Sequence, residues 1–327
     1  MSYDSLLPLI KKTRSPLSPQ EFQAIVNVVF HDFEAAHYDR MHSDMWGSLQ
    51  EQINLLVGDL FESGFVPANN LHLLDVGCGT GLSAQILLDS KLGAHIDNVT
   101  LLDTSPNMLK YAGEKAKSWG KKYTLVNGMV SDLNETFDVI IICSVLHHIP
   151  DLTQFLKQID KLLKPGGILI HLQDPNGDYI NDSEYLQRTA AYRDEFGMFP
   201  QGKNWKDYIP KNLKNFLNGI LGRKNYIDLV NDELIAQKAI KVKMSGDEIW
   251  SVTDIHVETK TDSTNKGISL LFMQKQLPNF KAINKRSYGF FGDLKSQLPE
   301  KYKPMEAAYI AENRPNGRNI SCIWVKN

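Results

Sequence analysis

The sequence predicts an α/β protein whose core is a doubly wound, mostly parallel sheet of seven strands. The first observation is a series of short runs that are apolar on both faces, as buried parallel strands are, at 71–76, 99–102, 123–126, 138–143 and 167–172. The second is the set of helical stretches that separate these runs, at 81–91, 106–118 and 152–164. Two strand candidates near the end of the chain, 280–291 and 319–325, return to the same sheet.

Helical segments flank and interrupt this core. Ser18 can cap a helix that begins near Pro19, and a second amphipathic helix fits 48–63. After the fifth strand the alternation stops, and the following residues are helical in pattern and too numerous for a loop. We therefore expect four regions, namely a helical cap at 1–66, an α/β core at 67–176, a mostly helical insertion over the substrate site at 177–262, and a helix with the last two strands at 263–327.

The bulk composition restricts the class of protein. The 327 residues include 36 Lys and Arg against 38 Asp and Glu, a balance that gives no general attraction to nucleic acid or to acidic membranes. Three cysteines without metal-type spacing indicate reduced thiols in a cytoplasmic protein. We find no secretory signal pattern and no apolar run long enough to span a bilayer. The composition therefore predicts no nucleic-acid partner, no membrane partner and a cytoplasmic location, and it leaves the oligomeric state open.

A glycine-rich turn follows the first predicted strand, in the order Gly77-Cys78-Gly79-Thr80-Gly81. Ligands of open α/β sheets bind at this junction of strand and helix. A dinucleotide fold requires its third glycine where Leu82 stands, and a pyrophosphate would meet the negative charge of Asp75. An amino-acid moiety fits better, because its ammonium group can lie near Asp75.

Other parts of the ligand are suggested farther along the chain. Asp103 lies 22 residues after Gly81 at the tip of the second strand, where a carboxylate can accept hydrogen bonds from two ribose hydroxyls. Met108 and Met129 are placed to sandwich an aromatic base. An amino acid, a ribose and a base together describe S-adenosyl-L-methionine, which becomes S-adenosyl-L-homocysteine after methyl transfer.

The segments LLDVGCGTG, LLDTSPNML, FDVIIICSVLHHIPD and LLKPGGILI resemble the successive motifs of class I S-adenosylmethionine-dependent methyltransferases of the small-molecule type, which have a Rossmann-like fold. The resemblance covers residues 71–172. The resemblance implies that the methionine part of the cofactor is surrounded by Asp75, Gly77, Cys78 and Gly79, and that Tyr38 closes over its carboxylate. It also implies that Asp103 holds the ribose and that Thr104 and Met108 border the adenine. Ser144 would lie by the sulfonium.

One position departs from the family pattern. The family often has Gly-Asp after the third strand, and here the pair is Gly128-Met129. Adenine would then be held by packing of Met129, by the backbone of Val130, or by the displaced acid Asp132.

Methyl transfer requires alignment and, for a hydroxyl or a protonated amine, a base. His148 is the first candidate base and His147 the second, although both could merely shape the cofactor loop. Asp174, a further candidate, is also explained as a turn cap before Pro175. In the insertion, the residues that could line a substrate site are Glu248, Trp250, Asp254 and His256. We expect no metal site, since His31, His37 and His42 fit a polar helix face.

The leading hypothesis is methyl transfer to a small-molecule acceptor, at oxygen or nitrogen rather than carbon. Methylation of RNA or protein is the first alternative, and S-adenosylmethionine binding without catalysis is the second. A nicotinamide oxidoreductase is disfavoured by Leu82 and Asp75. The basic stretch 203–226 is explained as a lysine-studded amphipathic helix without any RNA partner.

Overall fold

A computed structural model of the chain describes residues 3–196, 226–257 and 267–327, and these form one seven-stranded sheet with the order β3-β2-β1-β4-β5-β7-β6. The strands are β1 (Leu71–Val76), β2 (Ile96–Asp103), β3 (Lys122–Asn127), β4 (Phe137–Cys143), β5 (Leu163–Pro175), β6 (Phe280–Tyr288) and β7 (Asn319–Lys326). The first five strands are parallel, and β7 is antiparallel to both β5 and β6. The predicted fold class is confirmed.

The helices occupy both faces of the sheet as well as its carboxyl edge. They are α1 (Leu7–Thr13), α2 (Pro19–Glu34), α3 (Tyr38–Met41), α4 (Ser43–Glu62), α5 (Leu82–Leu88), α6 (Pro106–Ala116), α7 (Leu152–Leu162), α8 (Ser183–Phe196), α9 (Tyr226–Ala236), α10 (Gly246–Thr253), α11 (Leu270–Gln276) and α12 (Lys303–Ala311). One face of the sheet packs on α4, α5 and α6, and the other packs on α7 and α11. Because both faces are covered, the inner parallel strands β1, β2, β4 and β5 are mostly buried, whereas the edge strand β3 is largely exposed.

The strand register fixes where functional side chains can meet. Asp75 pairs with Leu101 of β2 and with Ile141 of β4, so the carboxyl ends of these three strands lie at one edge of the sheet. β1 and β4 are neighbours in space although two strands separate them in sequence. Their carboxyl ends therefore form the topological switch point where ligands of such sheets bind.

The N-terminal helices and the described part of the insertion share an apolar core at this edge. Helix α2 begins as predicted, with Ser18 and Glu21 forming a capping box. Its buried side chains Phe22 and Val26 belong to the same cluster as Val230 of α9 and Ile249 of α10. These two segments, far apart in sequence, therefore form one layer above the carboxyl edge.

The structure refines several predicted boundaries. Helix α4 begins five residues before the predicted 48–63, and β5 extends beyond 167–172 in both directions. Helix α12 was not predicted. Residues 197–225 and 258–266 lie outside the described residues, so the predicted helix at 203–226 is described only at Tyr226. None of the helices in the described ranges is long and apolar enough to cross a membrane.

Candidate active site

The glycine turn between β1 and α5 has the backbone conformation that its composition predicts. Gly77, Gly79 and Gly81 have φ values of +62°, +52° and +82°, which L side chains rarely adopt. A Cβ atom on Gly77 would lie 2.5 Å from Cγ2 of Val145, whereas one on Gly79 would meet no described atom within 4 Å. Gly77 is therefore needed for packing, and Gly79 leaves its backbone open to a ligand.

Asp75 lies beneath this turn with 0% of its surface exposed. Its Oδ2 atom accepts hydrogen bonds from the Ser83 hydroxyl (2.7 Å) and the Ala84 amide (3.0 Å). Its Oδ1 atom is buried and has no hydrogen-bond partner in the described part of the chain. Burial raises the pKa of Asp75 to about 7, although the two hydrogen bonds lower it. An approaching cation would stabilise the carboxylate at the unpartnered oxygen.

Asp103 ends β2 beside the same turn. Its two oxygens accept hydrogen bonds from the backbone amides of Gly79 and Ser105, both at 2.8 Å. Burial raises the pKa of Asp103, and these hydrogen bonds oppose the change. Each carboxylate oxygen has a further lone pair, so the group is fixed in place and can still accept hydroxyl donors.

The predicted adenine residues differ strongly in accessibility. Met108 is only 2% exposed and belongs to the buried start of α6, whereas Met129 is 56% exposed. Val130 is buried in the core between the sheet and α7. Asp132 accepts a hydrogen bond from the Met129 amide at 2.8 Å, so one of its oxygens is already engaged. Of the three residues proposed to hold the adenine at this position, Met129 and Asp132 are therefore exposed and Val130 is buried.

The cap reaches the glycine turn and the loop after β2 through one aspartate each. Asp39 accepts a hydrogen bond from the Thr80 hydroxyl and pairs with Lys115 at 2.9 Å. Asp32 accepts hydrogen bonds from the Ser105 hydroxyl and from the Asn107 amide. Neither aspartate was recognised from the sequence, where only their place on a helical segment was visible.

Three further predicted residues lie near the carboxyl ends of the central strands. Tyr38 begins α3, and burial together with the charges of Glu34 and Asp103 raises the pKa of its hydroxyl. Ser144 follows β4 with φ +60°, and its amide donates to the Leu172 carbonyl at 2.9 Å. The Thr104 carbonyl accepts a hydrogen bond from the Asn127 side chain at 3.0 Å. The structure therefore brings Tyr38 and Thr104 to the same edge as Asp103.

His147 is held by the end of β5. Its Nδ1 atom lies 2.7 Å from Oδ1 of Asp174, and its backbone amide donates to the same oxygen at 3.1 Å. Burial, and next the neighbouring His148, lower the pKa of His147 to about 3, so the ring is neutral at pH 7. Burial raises the pKa of Asp174 to about 6, and the proximity of His171 opposes this rise. Asp174 thus positions His147, a contact that the sequence did not indicate.

His148 is held by the insertion. Its Nδ1 atom lies 2.8 Å from the Thr253 carbonyl oxygen and 3.1 Å from Oδ1 of Asp254. Burial lowers the pKa of His148, but Asp254 and the Thr253 carbonyl outweigh it and the net shift is upward. The His31 ring lies edge-on at 5.3 Å from the His148 ring, so the cap also contributes to this group.

The other predicted insertion residues have different roles. The His256 amide donates to the His147 carbonyl at 3.0 Å, and its Nε2 atom lies 2.7 Å from the Ile149 carbonyl oxygen. Glu248 caps the start of α10 and pairs with Lys12. Asp254 and His256 therefore join the site, whereas Glu248 serves the helix. Their approach to His147 and His148 was missed because more than 100 residues separate them in sequence.

Comparisons with known proteins agree with this geometry. A family model described as "Methyltransferase domain" matches residues 74–169, the region that carries the glycine turn and the first five strands. Residues 74–169 are therefore similar to a methyltransferase domain.

The relatives of this methyltransferase domain include quinone-modifying enzymes. The ubiquinone biosynthesis O-methyltransferase of Caulobacter sp. (strain K31) is 32% identical over 165 residues, which are 48% of this chain and 61% of that protein. The demethylmenaquinone methyltransferase of Leptospira interrogans is 32% identical over 147 residues, 42% of this chain and 56% of that protein. The chain thus spans about 60% of the length of the curated relatives it matches.

Solved structures are more distant. A S-adenosylmethionine-dependent methyltransferase from Clostridium acetobutylicum superimposes with a TM-score of 0.45 and 14% identity, over 89% of this chain and 98% of that one.

Proposed function

We propose that the protein transfers a methyl group from S-adenosylmethionine to a small-molecule acceptor, at oxygen or nitrogen. One observation carries the proposal, namely the open glycine corner between an unpartnered buried oxygen of Asp75 and the carboxylate of Asp103. These groups match the ammonium group and the ribose hydroxyls of one ligand. When bound, S-adenosylmethionine supplies a methyl group on a positively charged sulfur.

The residues at this edge would hold the cofactor in parts. Asp75, Gly77, Cys78, Gly79 and Gly81 would surround the methionine moiety, and Tyr38 would close over its carboxylate. The ribose falls to Asp103. Thr104, Met108, Met129 and Val130 are the proposed surroundings of the adenine, with Met129 the most accessible of these two methionines. Ser144 would lie at the end of β4 beside the sulfonium.

Deprotonation of the acceptor falls to the histidine pair after β4. Because Nδ1 of His148 faces two oxygen acceptors, it carries the hydrogen, and Nε2 keeps a lone pair that can take a proton. His147 is a weaker base, since its pKa is about 3. A base suits a hydroxyl or a protonated amine, which is why oxygen and nitrogen acceptors are favoured over carbon. Most of the acceleration would come from alignment of acceptor and methyl group.

A small acceptor fits the enclosure of this edge. The cap contacts the cofactor turn through Asp32 and Asp39, and the insertion contacts the histidine pair through Asp254 and His256. The net charge of −2 gives no general attraction to nucleic acid. Some relatives are named for quinone methylation, which makes phenolic compounds the first acceptors to test.

The cofactor proposal is tested by calorimetric titration with S-adenosylhomocysteine and, separately, with NAD. We expect heat from the first ligand and none from the second. Asp103→Ala should weaken S-adenosylhomocysteine binding, whereas Asp97→Ala should not, since Asp97 is a half-exposed carboxylate near the start of the same strand. Equal affinities of the two variants would contradict the ribose assignment.

Catalysis is tested by methyl uptake from labelled S-adenosylmethionine into pools of phenolic and amine metabolites. His148→Ala should keep cofactor affinity and lose about 10²–10⁴-fold in turnover, the usual contribution of a general base. A protein that binds the cofactor and labels no small molecule would support the non-catalytic alternative, and labelling of RNA or protein would support the macromolecular one.

A further inference from the structure

Asp254 lies just after α10, in the insertion, and is the residue that links this segment to His148. Only about a tenth of its side chain is exposed, and its Oδ1 atom lies 3.1 Å from Nδ1 of His148 and 3.6 Å from Nε2 of His147. The carboxylate therefore lies beside both rings, whose centres are 4.0 Å apart. Nothing in the methyltransferase motifs of residues 71–172 accounts for this acid.

The hydrogen-bond geometry determines which nitrogen of His148 carries the hydrogen. The Thr253 carbonyl oxygen is an obligatory acceptor and lies 2.8 Å from Nδ1. The Asp254 carboxylate presents a second acceptor to the same nitrogen. A lone pair on Nδ1 would face two oxygens, so Nδ1 carries the hydrogen and Nε2 is the basic atom.

We propose that Asp254 is a positioning residue, which fixes His148 in the Nδ1–H tautomer and pairs with the imidazolium that forms when Nε2 takes the proton of the acceptor. This inference rests on the proposed function. The acceptor's electron pair would form the new bond to the methyl carbon while the bond from that carbon to sulfur breaks, and the electrons of the broken bond stay on sulfur in S-adenosylhomocysteine. The acceptor's proton moves to Nε2, and His148 returns that proton to solvent before the next turnover. The Asp254 carboxylate keeps its contact with Nδ1 throughout, as the acid of a nucleophile–histidine–acid triad does.

The backbone around His148 is held firmly enough for this role. The His148 carbonyl accepts a hydrogen bond from the Gln23 side chain of α2 at 3.1 Å. The preceding carbonyl, that of His147, accepts one from the amide of His256. Cap and insertion thus fix the loop from two sides, and Asp254 selects the orientation of the ring within it.

A bound divalent cation is the rival explanation of the same residues. His147, His148 and Asp254 each offer a ligand atom within 4.8 Å of the others. Two histidines and a carboxylate suit several transition metals. Because Nδ1 donates to the Thr253 carbonyl, a metal would have to bind His148 through Nε2, and the metal content of the purified protein decides between the two explanations.

The first test observes His148 directly, without an acceptor. Nitrogen-15 NMR of the histidine rings, with His148 assigned from a His148→Gln variant, should show hydrogen on Nδ1 in the wild type. The rings of His31 and His147 lie beside His148 as well. The titration midpoint of His148 should fall in Asp254→Asn, because burial still opposes protonation while only the Thr253 carbonyl and Asp174 still favour it. The control is Asp232→Asn, which removes a partly exposed carboxylate of the same insertion that pairs with Lys243.

The second test measures turnover against pH. Asp254→Asn should keep the affinity for S-adenosylhomocysteine, reduce turnover by about 10²-fold, and move the acidic limb of the rate profile to lower pH. A structural defect alone would not move that limb. Turnover in the double variant Asp254→Asn/His148→Gln should equal that of His148→Gln, because Asp254 acts through His148.

Three results would overturn the inference. The first is hydrogen on Nε2 of His148 in the wild type, and the second is an unchanged titration of His148 in Asp254→Asn. The third is one equivalent of a divalent metal in the purified protein, with loss of activity to a chelator and recovery on its return. Failure of the proposed function is distinguishable from failure of this inference. A protein that does not bind the cofactor would still show hydrogen on Nδ1 of His148 and a lower titration midpoint in Asp254→Asn.

Discussion

Replacing Gly79 by alanine tests whether a ligand approaches the open corner of the turn. Gly79 has φ +52°, and no described atom lies within 4 Å of the position that a Cβ would occupy. The substitution therefore introduces backbone strain but no clash within the protein. Gly64 offers a matched control, because it has φ +84°, equally open surroundings and a position after α4, away from the carboxyl edge.

The two variants should lose the same stability and differ in cofactor affinity. The left-handed conformation costs an L residue about 1–2 kcal/mol, which for a chain of this size lowers the melting temperature by roughly 2–4 °C. If the methionine moiety packs on Gly79, the added methyl group overfills the contact by about 1–3 kcal/mol. That energy corresponds to an increase of about 5- to 150-fold in the dissociation constant of S-adenosylhomocysteine.

Thermal unfolding measures the first effect and calorimetric titration the second. We expect Gly64→Ala to bind S-adenosylhomocysteine as the wild type does. If Gly79→Ala also retains wild-type affinity at a comparable loss of melting temperature, no ligand touches this corner and the cofactor assignment loses its basis. If both variants bind weakly, the effect is one of backbone strain and not of contact.

Three further predictions use other parts of the structure. Burial raises the pKa of Asp75 to about 7, and a cationic ligand requires the ionised carboxylate. The dissociation constant of S-adenosylhomocysteine, measured by calorimetry, should therefore rise about ten-fold as the pH falls from 8 to 6, and it should show no such change in Asp75→Asn. Asp39→Asn removes the ion pair with Lys115, and such pairs contribute up to about 1 kcal/mol. Dissociation of S-adenosylhomocysteine, measured by stopped-flow, should therefore be up to about five-fold faster in this variant, and an unchanged rate would contradict the closing role of the cap. Glu306 accepts hydrogen bonds from two backbone amides, and burial raises its pKa to about 7. The folded state therefore favours the protonated carboxyl group, and this stabilisation is lost as the pH rises through that pKa. The melting temperature should fall more between pH 6 and 8 in the wild type than in Glu306→Gln.

The sheet and the cofactor turn could be predicted because their signals are local. Buried parallel strands require apolar residues on both faces, and each of the first five runs became a strand. The turn requires residues that tolerate positive φ, and Gly77 and Gly79 supply them directly after β1. Asp103 followed from its place at the end of β2. These features depend on a few consecutive residues and on the order of strands.

The histidine group could not be predicted in the same way. The sequence placed His147 and His148 after β4, but their partners Asp174 and Asp254 come from the end of β5 and from the insertion. Part of the reason is a backbone irregularity, since Gln173 adopts φ +66° and the register of β5 with β7 shifts between Leu172 and Asp174. Such a shift changes which face the following side chain occupies, and period-two patterns do not reveal it.

Boundaries and one helix also escaped the sequence pattern. In helix α12 only Glu306 and Ile310 are buried, and one of these two is an acid. The helix therefore lacks the repeating apolar residues by which an amphipathic helix is predicted from sequence. The accessibility of Met108 was not visible either, because the first turn of α6 buries the side chain that the sequence predicts beside the adenine. Burial of a methionine is decided by the packing of its helix and not by its distance from a motif.

The cap and the insertion explain why the site is assembled from distant segments. The apolar core that they share is internal to their layer, since Phe22 and Val26 pack with Val230 and Ile249. Backbone hydrogen bonds from 241–242 to the Thr13 carbonyl join them further. The apolar faces of the two segments are therefore buried against each other.

The contacts of this layer with the catalytic edge are polar by comparison. Asp39 meets the glycine turn, Asp32 meets the loop after β2, and Asp254 meets the loop after β4. Each of these acids contacts a loop to which the methyltransferase motifs assign cofactor or base. Under the proposed function, a change in one of these three acids is therefore expected to act on cofactor binding or on proton transfer, while the apolar core of the layer keeps its packing.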